Sequence, residues 1–357
     1  MTVSGWGRYP KFTAKSKAPR NIDELRKAVR VGQAIAHGNG RSYGDSAISL
    51  SNTIYMKNFN RMLSFDEKTG CLVAEAGVQL ADIIEGFLKL GWFPSVTPGT
   101  KFVTLGGMIA ADIHGKNHHK DGSIANYIDW LDILVADGSI VRCSKSQNEE
   151  LFSWTIGGMG LTGVIICVAM RLRRVSSAWI EQRTLVAENI RQAMSIFEQS
   201  LQSTYSVAWI DCMQRGESLG RSLVMLGEHL ASSDVPSEYQ KSPYSSVVKA
   251  KIRIPFPFPS WILNSFSVRA FNAIYFWLGK RAPERKIVDW DTYFYPLDAI
   301  LGWNKLYGRR GFIQFQCVIP LRHAEQGMIE LLDVIAKARN GSFLAVLKRF
   351  GKQTSLF

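Results

Sequence analysis

The chain has 357 residues, of which 46% are hydrophobic and 20% charged, and its formal net charge is +13 at pH 7. The length predicts two domains, and the composition is typical of a globular protein, which excludes an intrinsically disordered chain. The positive charge favours a membrane surface or a phosphorylated substrate as partner. No nucleic-acid partner is expected, because the sequence has neither zinc-finger spacing nor a long Lys/Arg block.

The cysteines and the apolar segments bear on the cellular compartment. The five cysteines are scattered and form no CxxC pair, so free thiols in a reducing compartment are expected. Residues 1–12 lack the apolar core of a signal peptide, which favours a cytoplasmic location. Residues 151–170 are uncharged and long enough to span a bilayer, but their clustered glycines and β-branched end predict a glycine loop entering a buried strand.

The first half of the chain alternates helix and strand signals. A helix is predicted after Asn21, an N-cap residue followed by two acidic residues, and it ends at Gly32. A second helix is predicted over 80–90 and ends at Gly91. Strands are predicted at 33–36, 53–56, 71–76, 128–136 and 140–143, the last two joined by an Asp-Gly hairpin turn.

A glycine-rich loop at 38–44 follows the first of these strands and carries hydroxyl and guanidinium donors. Such a loop can hold a pyrophosphate with its backbone N–H groups, or it can be only a tight turn. Its glycine spacing, with no helix pattern behind it, does not fit the Rossmann fingerprint. Similar stretches at 99–107 and 157–163 make a phosphate-bearing cofactor the better interpretation.

The most informative stretch runs from 98 to 127, where two glycines precede an apolar run and then HGKNHHK at 114–120. This order predicts a bound anionic cofactor with chemistry beside it, or else a surface loop too broken by glycine for a regular helix. His114 and His118 have the spacing of metal ligands on a helix, but the neighbouring lysines would repel a cation, so no metal is predicted. Lys116 is better interpreted as a partner of an anion or of a reduced cofactor.

From about residue 176 the pattern changes to that of a second, α+β domain. Strands are predicted at 179–186, 205–211, 312–319 and 343–347, and helices at 188–201 and 323–338. This alternation predicts an antiparallel sheet, with domains at 1–175 and 176–357. Between these elements, 252–280 is aromatic, broken by prolines and flanked by cations. It could dock on a membrane interface or cover a core, and both interpretations stay open.

Several motifs carry a resemblance to a known family. GNGRSYGD (38–45), PGTKFVTLGGMIAADIHGKNHH (98–119) and GGMGLTGVI (157–165) resemble the FAD-binding, PCMH-type domain of the vanillyl-alcohol-oxidase superfamily. AWIDC, YPLD, WNKLYGRRGFIQFQ and FLAVLKRFG extend the likeness to its branch that oxidises decaprenylphosphoryl-ribose. The resemblance implies an α+β, two-domain flavoprotein with a PCMH-type FAD domain and an antiparallel-sheet substrate domain.

The resemblance also implies site residues. Those expected to hold FAD are Ala36, His37, Gly38, Asn39, Gly40, Arg41, Ser42, Tyr43, Gly44, Ser46, Gly99, Thr104, Leu105, Gly106, Gly107, Ala111, Asp112, Ile113, His114 and Ile165. Those expected to border the substrate, between the two domains, are Tyr43, His114, Lys116, Trp209, Gln314, Gln316 and Lys348. Among these, Lys116, His114 and Tyr43 are the expected catalytic residues.

Two departures from the family pattern qualify these expectations. Relatives that bind FAD covalently often carry a histidine where this chain has Arg41, so non-covalent FAD is expected. The family continues beyond FLAVLKRFG with a tail that returns a lysine to the flavin, and no counterpart follows here, so a C-terminally shortened protein is expected.

The implied activity is oxidation of a sugar hydroxyl, C2 of a polyprenyl-phospho-ribose, with hydride transfer to flavin. The alternatives are an aldonolactone or alditol oxidase acting on a soluble sugar, or an inactive flavin-binding remnant. The implied partners are the polyprenyl-phosphate-linked sugar, a short-chain reductase that completes an epimerisation, and the inner membrane surface, where the protein would be peripheral.

Overall fold

The first half of the chain is built mainly on one antiparallel sheet. The computed structural model describes residues 2–246, 251–259, 261–339 and 342–352. The strands are β1 (Thr2–Val3), β2 (Phe12–Thr13), β3 (Ser16–Lys17), β4 (Ile35–His37), β5 (Thr53–Tyr55), β6 (Met62–Asp66), β7 (Cys71–Glu75), β8 (Trp92–Pro94), β9 (Ile128–Leu134), β10 (Ile140–Ser144) and β11 (Val164–Arg174). The helices are α1 (Ile22–Val29), α2 (Leu80–Phe87), α3 (Leu105–Ala110), α4 (His118–Asp121) and α5 (Glu149–Thr155), with 3-10 turns at Leu88–Leu90 and Ile124–Tyr127.

The main sheet has the order β10-β9-β11-β7-β6, and β8 also pairs with β11. Strand β11 lies at its centre, and all its residues from Val164 to Met170 are buried. This confirms the prediction of a glycine loop entering a buried strand, since two-sided burial favours a continuous apolar run. Among the residues that the structure describes, no helix has the length and hydropathy needed to cross a bilayer.

The glycine-rich loop at 38–44 follows β4, an edge strand of a small parallel sheet that has the order β3-β5-β4. The helix α1 beside it begins as predicted, because Oδ1 of Asn21 accepts a hydrogen bond of 2.9 Å from the N–H of Glu24. Its Leu25 is fully buried in the same cluster as Ile54 of β5. Strand β4 ends at His37, and the loop that follows is therefore anchored at its start by a packed sheet and helix.

The second half is built on another antiparallel sheet, with the order β16-β12-β14-β13-β18. The strands are β12 (Trp179–Ala187), β13 (Tyr205–Ile210), β14 (Ser222–His229), β15 (Ile252–Arg253), β16 (Arg285–Asp289), β17 (Ile300–Leu301) and β18 (Val346–Leu347). The helices are α6 (Ile190–Gln199), α7 (Ser265–Arg281), α8 (Trp290–Phe294) and α9 (Ala324–Ala338), with 3-10 turns at Gly216–Ser218, Ser237–Tyr239, Pro296–Ala299, Trp303–Tyr307 and Leu321–His323.

Helices cover both faces of this second sheet. Phe197 of α6 packs with Ala208 of β13 on one face. Phe276 of α7 packs with the neighbouring Trp209 on the other face, as expected because successive strand residues point to opposite sides. The predicted domain boundary after residue 175 falls in the link between β11 and β12, and it stays a prediction.

Four predicted segments differ from the structure. Residues 312–319 form no strand, and 343–347 contribute only the two residues of β18. An alternating pattern gives a strand only where a partner strand is available, and β18 already pairs with β13. The stretch after Gly115, predicted to be irregular, forms one helical turn in α4. The aromatic segment 252–280 contains α7, whose capping box at Asn264 and Ser267 the sequence analysis missed.

The two sheets share a hydrophobic core. One continuous cluster contains Leu72 and Val168 from the first sheet together with Trp179 and Tyr205 from the second. Phe294 of α8 is fully buried in it, with its ring centroid 5.3 Å from that of Phe93 and 4.9 Å from that of Tyr205. The region between the sheets is therefore a packed interior, and it fixes the position of the loops at its margin.

Candidate functional site

The glycine-rich loop is held against the segment that leads into α3. A Cβ atom at Gly38 would lie 2.2 Å from Oγ1 of Thr104, so only glycine fits there without a shift. The side-chain amide of Asn39 donates to the carbonyl oxygen of Phe102 at 2.8 Å and to Oε1 of Gln79 at 3.0 Å. The loops at 38–44 and 99–107, which the sequence analysis grouped by composition, therefore contact each other.

Arg41 supplies a partly buried cation in this loop. Its guanidinium carbon lies 4.0 Å from the ring centroid of Trp6 and 5.1 Å from that of Phe102. Within the described residues its Nε is buried and has no hydrogen-bond partner. Burial lowers the pKa of Arg41, and the charge of Asp298 acts against this lowering. A donor held in this way is suited to an anionic acceptor that binds from outside the polypeptide.

The predicted cofactor glycines divide into two groups. Gly44 and Gly99 are exposed, and a Cβ at either would meet no atom within 4 Å. Gly106 instead packs inward, because its Cβ would lie 2.9 Å from that of Ala76, and its N–H donates to the carbonyl oxygen of Ala76 at 2.8 Å. Gly107 is exposed at the start of α3. Open backbone at 44 and 99 leaves room for a ligand, whereas Gly106 is required by packing and the N–H of Gly107 donates to Oγ1 of Thr104 at 3.4 Å.

The other predicted cofactor residues support this loop and the end of α3. His37 is buried, and its Nδ1 lies 2.8 Å from the carbonyl oxygen of Ala47. Asp112 has a left-handed φ of 37°, and its Oδ1 accepts from the N–H of Ala125 at 3.2 Å. Leu105 and Ile165 are buried in the shared core. The remaining members, which are exposed or partly buried in these same segments, are Ala36, Gly40, Ser42, Ser46, Ala111 and Ile113.

His114 lies beside residues from the far end of the chain. Its Nδ1 is 3.5 Å from Nζ of Lys348, and its ring centroid is 4.6 Å from that of Phe350. Phe350 also stacks on His118, with centroids 4.1 Å apart. Burial, with the charge of Lys348 as a second cause, lowers the pKa of His114 to about 3. The imidazole is therefore neutral at pH 7, and the adjacent ammonium disfavours a metal ion between these histidines.

Lys116 is the second cation of this cluster. Its Nζ donates to the carbonyl oxygen of Tyr293 and lies 4.2 Å from the centroid of that ring. Its own carbonyl oxygen accepts from the N–H of Ser206 at 2.7 Å, which ties the segment to β13. Burial, followed by repulsion from Lys348, lowers the pKa of Lys116 to about 7, and burial lowers that of Lys348 to about 8. In the part of the chain that the structure describes, no carboxylate pairs with either amine.

Tyr43 lies at one end of a series of rings that leads to Phe343. Neighbouring ring centroids are 5.6 Å apart for Tyr43 and Phe312, 4.1 Å for Phe312 and Tyr307, and 5.5 Å for Tyr307 and Phe343. Burial raises the pKa of Tyr43 to about 12. The phenol therefore stays protonated at neutral pH, so it can donate a hydrogen bond but is a poor base.

The predicted substrate residues differ in where they lie. The indole N–H of Trp209 donates to the carbonyl oxygen of Phe343 at 3.0 Å, so Trp209 contributes a ring surface rather than a free donor. Gln314 and Gln316 are exposed, and the amide of Gln314 donates to Oε1 of Gln316 at 3.2 Å. The structure thus brings His114, Lys116 and Lys348 together and links Tyr43 by aromatic rings to Phe343, while these glutamines lie outside those contacts.

Sequence reasoning missed the carboxylates that join the cofactor loop to the second half of the chain. Oδ1 of Asp298 accepts from the hydroxyl of Thr100 at 2.8 Å, and Oδ2 accepts from the N–H of Lys101 at 2.9 Å. The ammonium of the buried Lys101 pairs with Asp291. Asp298 belongs to the YPLD motif, but the motif alone does not show which loop it contacts.

The site suits a bound dinucleotide and a redox reaction on an alcohol. The exposed glycines and the unsatisfied Arg41 fit the phosphates of FAD. A pair of partly buried amines without a carboxylate can bind an anion, and the lowered pKa values of Lys116 and Lys348 allow a proton to be exchanged near neutral pH.

Comparison with known proteins also indicates an FAD-binding oxidoreductase. Residues 16–144 match the family described as an FAD binding domain. The chain is 31% identical to decaprenylphosphoryl-beta-D-ribose oxidase of Mycolicibacterium smegmatis over 98% of its own length and 78% of that protein. It is 27% identical to an uncharacterized protein in the mprA 5' region of Streptomyces coelicolor, over 77% of this chain and 75% of that protein. L-gulonolactone oxidase of Bos taurus is 30% identical over 43% of this chain and 36% of its own length.

Proposed function

The chain belongs to the family of FAD-dependent oxidoreductases that includes decaprenylphosphoryl-beta-D-ribose oxidase, and from this premise we propose that it oxidises a hydroxyl, at C2, of a ribose carried on a polyprenyl phosphate. The observation that carries the proposal is the pair of partly buried lysines, Lys116 and Lys348, which lie near each other beside His114 and the expected flavin position. A sugar phosphate would supply the negative charge that the described residues around these amines lack.

The residues present fit FAD, and we propose that it is bound without a covalent bond. The loop at 38–44 would hold the pyrophosphate, with Arg41 paired to it, and the segment 111–114 would border the flavin ring. Arg41 occupies the position where a histidyl link would be made, and its guanidinium is fixed between Trp6 and Phe102. Bound FAD would supply the acceptor for the hydride that leaves the carbinol carbon.

The proposed role of the lysine pair is to stabilise negative charge and to accept a proton during this oxidation. With pKa values lowered to about 7 and about 8, the pair can hold a positive charge near a bound anion and still offer an amine that accepts the hydroxyl proton. His114 stays neutral, so it can orient the ammonium of Lys348 without adding charge. Tyr43, protonated at neutral pH, would donate a hydrogen bond to the substrate or the flavin.

A second candidate is an aldonolactone oxidase acting on a soluble sugar. The likeness to L-gulonolactone oxidase favours it, although that likeness covers 43% of this chain. The lipid-linked substrate is supported by the longer match to the ribose oxidase and by the ring series from Tyr43 to Phe343, which offers apolar surface beside the expected substrate residue Trp209. The ketone formed from a lipid-linked sugar would be reduced by a partner enzyme, for which we propose a short-chain reductase.

Anaerobic flavin bleaching tests the proposal. The purified, yellow chain is mixed with polyprenylphosphoryl-ribose in detergent, or with L-gulono-1,4-lactone. We expect the absorbance of the oxidised flavin to disappear with the first compound and to persist with the second. Bleaching by the lactone alone would favour the second candidate. A protein that stays yellow with both would contradict both activities and leave a flavin-binding protein without this chemistry.

A further inference from the structure

Helix α7 is held to the second sheet by a narrow stripe of its surface. Its buried residues are Val268, Asn272 and Phe276, spaced by one helical turn. The amide of Asn272 donates to Oδ1 of Asp211 at 2.7 Å, and Phe276 packs against Trp209. The helix is therefore fixed in its orientation, and the side opposite this stripe faces away from the protein.

The outward side of α7 is apolar. Phe266, Ile274, Trp277 and Leu278 fall opposite the buried stripe at 3.6 residues per turn, and their exposed fractions are 80%, 59%, 50% and 54%. A surface helix of a soluble protein normally presents polar residues on this side. Four large apolar side chains on one face therefore need an apolar partner.

The sequence that contains this face is rich in cations. Residues 251–286 contain seven Lys and Arg and a single acidic residue, Glu284. The guanidinium of Arg281 lies 4.0 Å from the ring centroid of Trp277, at the end of the apolar side, and Lys280 pairs with Glu188. A helix with Trp and Arg at the border of an apolar face is typical of one that lies in the headgroup region of a bilayer. Two copies of this face would bring like charges together, which disfavours a dimer.

The same helix reaches the candidate site. The ring centroid of Phe271 is 5.5 Å from that of Phe343, and that of Tyr275 is 4.7 Å from that of Trp209. Phe343 is also the last ring of the series that begins at Tyr43. A continuous aromatic surface therefore runs from the outward helix to the loop proposed to hold FAD.

We propose that α7 docks on an anionic membrane, with Phe266, Ile274 and Trp277 in the acyl boundary and Arg281 among the headgroups, and that the aromatic surface behind it receives the prenyl chain of the substrate. The second clause rests on the proposed function, whereas the docking itself does not. The helix lies on the bilayer without crossing it, in keeping with its 17 residues and the cations at its end.

Vesicle sedimentation of the full, FAD-loaded chain tests the docking. Vesicles of phosphatidylcholine are compared with vesicles of equal parts phosphatidylcholine and phosphatidylglycerol, without substrate. We expect binding to the anionic vesicles, weakened by salt. Phe266→Ser with Ile274→Ser should lower the affinity at least about tenfold, and Arg281→Ala about fivefold. The matched control is Val334→Ser, which changes an exposed apolar residue of α9 and should bind as the wild type does.

The flavin spectrum of each variant shows that it is folded, since none of these residues belongs to the proposed flavin site. Quenching of tryptophan fluorescence by brominated acyl chains gives a second readout, and Trp277→Phe should reduce it. No binding to anionic vesicles, or equal binding by the double variant, would overturn the proposal. The proposal would also be overturned if the wild type formed a dimer and did not bind vesicles, while the double variant was monomeric. Turnover in detergent is measured separately, so loss of docking and loss of the proposed activity are distinguishable.

Discussion

Nζ of Lys348 lies 3.5 Å from Nδ1 of His114, although 234 positions separate the two residues in the chain. Pairing of β18 with β13 brings the end of the described chain to the central stretch, and Lys348 follows β18 directly. Because burial keeps His114 neutral, its ring can accept a hydrogen bond from the ammonium instead of repelling it. The contact joins the proposed flavin and substrate sides of the site, and the predictions below concern the charges on both sides.

Replacing Lys116 should slow the reaction without releasing FAD. If its ammonium stabilises negative charge in the transition state, Lys116→Ala should lower kcat/KM. The decrease should correspond to a loss of about 2–4 kcal/mol of transition-state stabilisation. Steady-state kinetics and the flavin-to-protein absorbance ratio provide the measurement. Lys120→Ala is the matched control, because Lys120 is exposed on the same stretch, where its ammonium donates to the carbonyl oxygen of Gln202. Equal kinetics of both variants would show that Lys116 has no such role.

Lys116 and Lys348, both partly buried, should make the FAD-free chain more stable as the pH rises above neutral. Their folded pKa values, about 7 and about 8, lie below the ordinary value of 10.5, so the unfolded chain binds more protons in this interval and unfolding becomes less favourable with rising pH. The interval to measure is from about 7 to 9, because the raised pKa values of buried tyrosines oppose the effect at higher pH.

Urea unfolding across this interval measures the slope. Lys116→Met combined with Lys348→Met should flatten the dependence of the free energy of unfolding on pH. The gain in free energy should be largest at the lower pH, because there the wild-type chain must either desolvate two ammonium groups or release their protons when it folds. A double variant with the slope of the wild type would show that other groups are responsible.

Gly38→Ala should reduce both stability and flavin content. The new methyl group would be 2.2 Å from Oγ1 of Thr104, the N-cap residue of α3, so relief requires moving the cap or the loop. We expect a loss of about 1–3 kcal/mol in the free energy of unfolding. Gly86→Ala is the control: it lies on the exposed side of α2 with open space around it, and alanine there should be neutral or stabilising. Thermal unfolding and flavin absorbance distinguish the two, and equal behaviour would contradict the packing argument.

FAD should leave the protein on denaturation. Acid precipitation of the yellow holoprotein is expected to leave the colour in the supernatant, because Arg41 provides no nucleophile for a link to the flavin in this loop. Absorbance spectra of the supernatant and of the redissolved pellet make the measurement. Colour that stays with the polypeptide would refute the proposal and would direct attention to another attachment residue.

The elements predicted well from the sequence are those fixed by local chemistry. Asn21 caps α1, Gly91 ends the turn after α2 with a φ of 78°, and the Asp-Gly turn joins β9 to β10. Residues 312–319 were predicted wrongly because alternation indicates a strand but does not supply its partner. Helix α7 was missed because prolines dominate the segment before its capping box. Lys116 was singled out from the local HGKNHHK run, whereas Lys348 came from family resemblance, since its contact with His114 is tertiary and no local pattern encodes it.

The core shared by the two sheets limits how this protein can be recombined. Trp179, Tyr205 and Phe294 fill the same cluster as Leu72 and Phe93, so a cut in the link between β11 and β12 would divide a single interior and leave apolar surface on each piece. A hybrid that grafts the second sheet of a relative onto this cofactor half must therefore carry matching side chains on both sides of the seam. Substrate range in such hybrids would change only together with the packing that holds the cofactor loops.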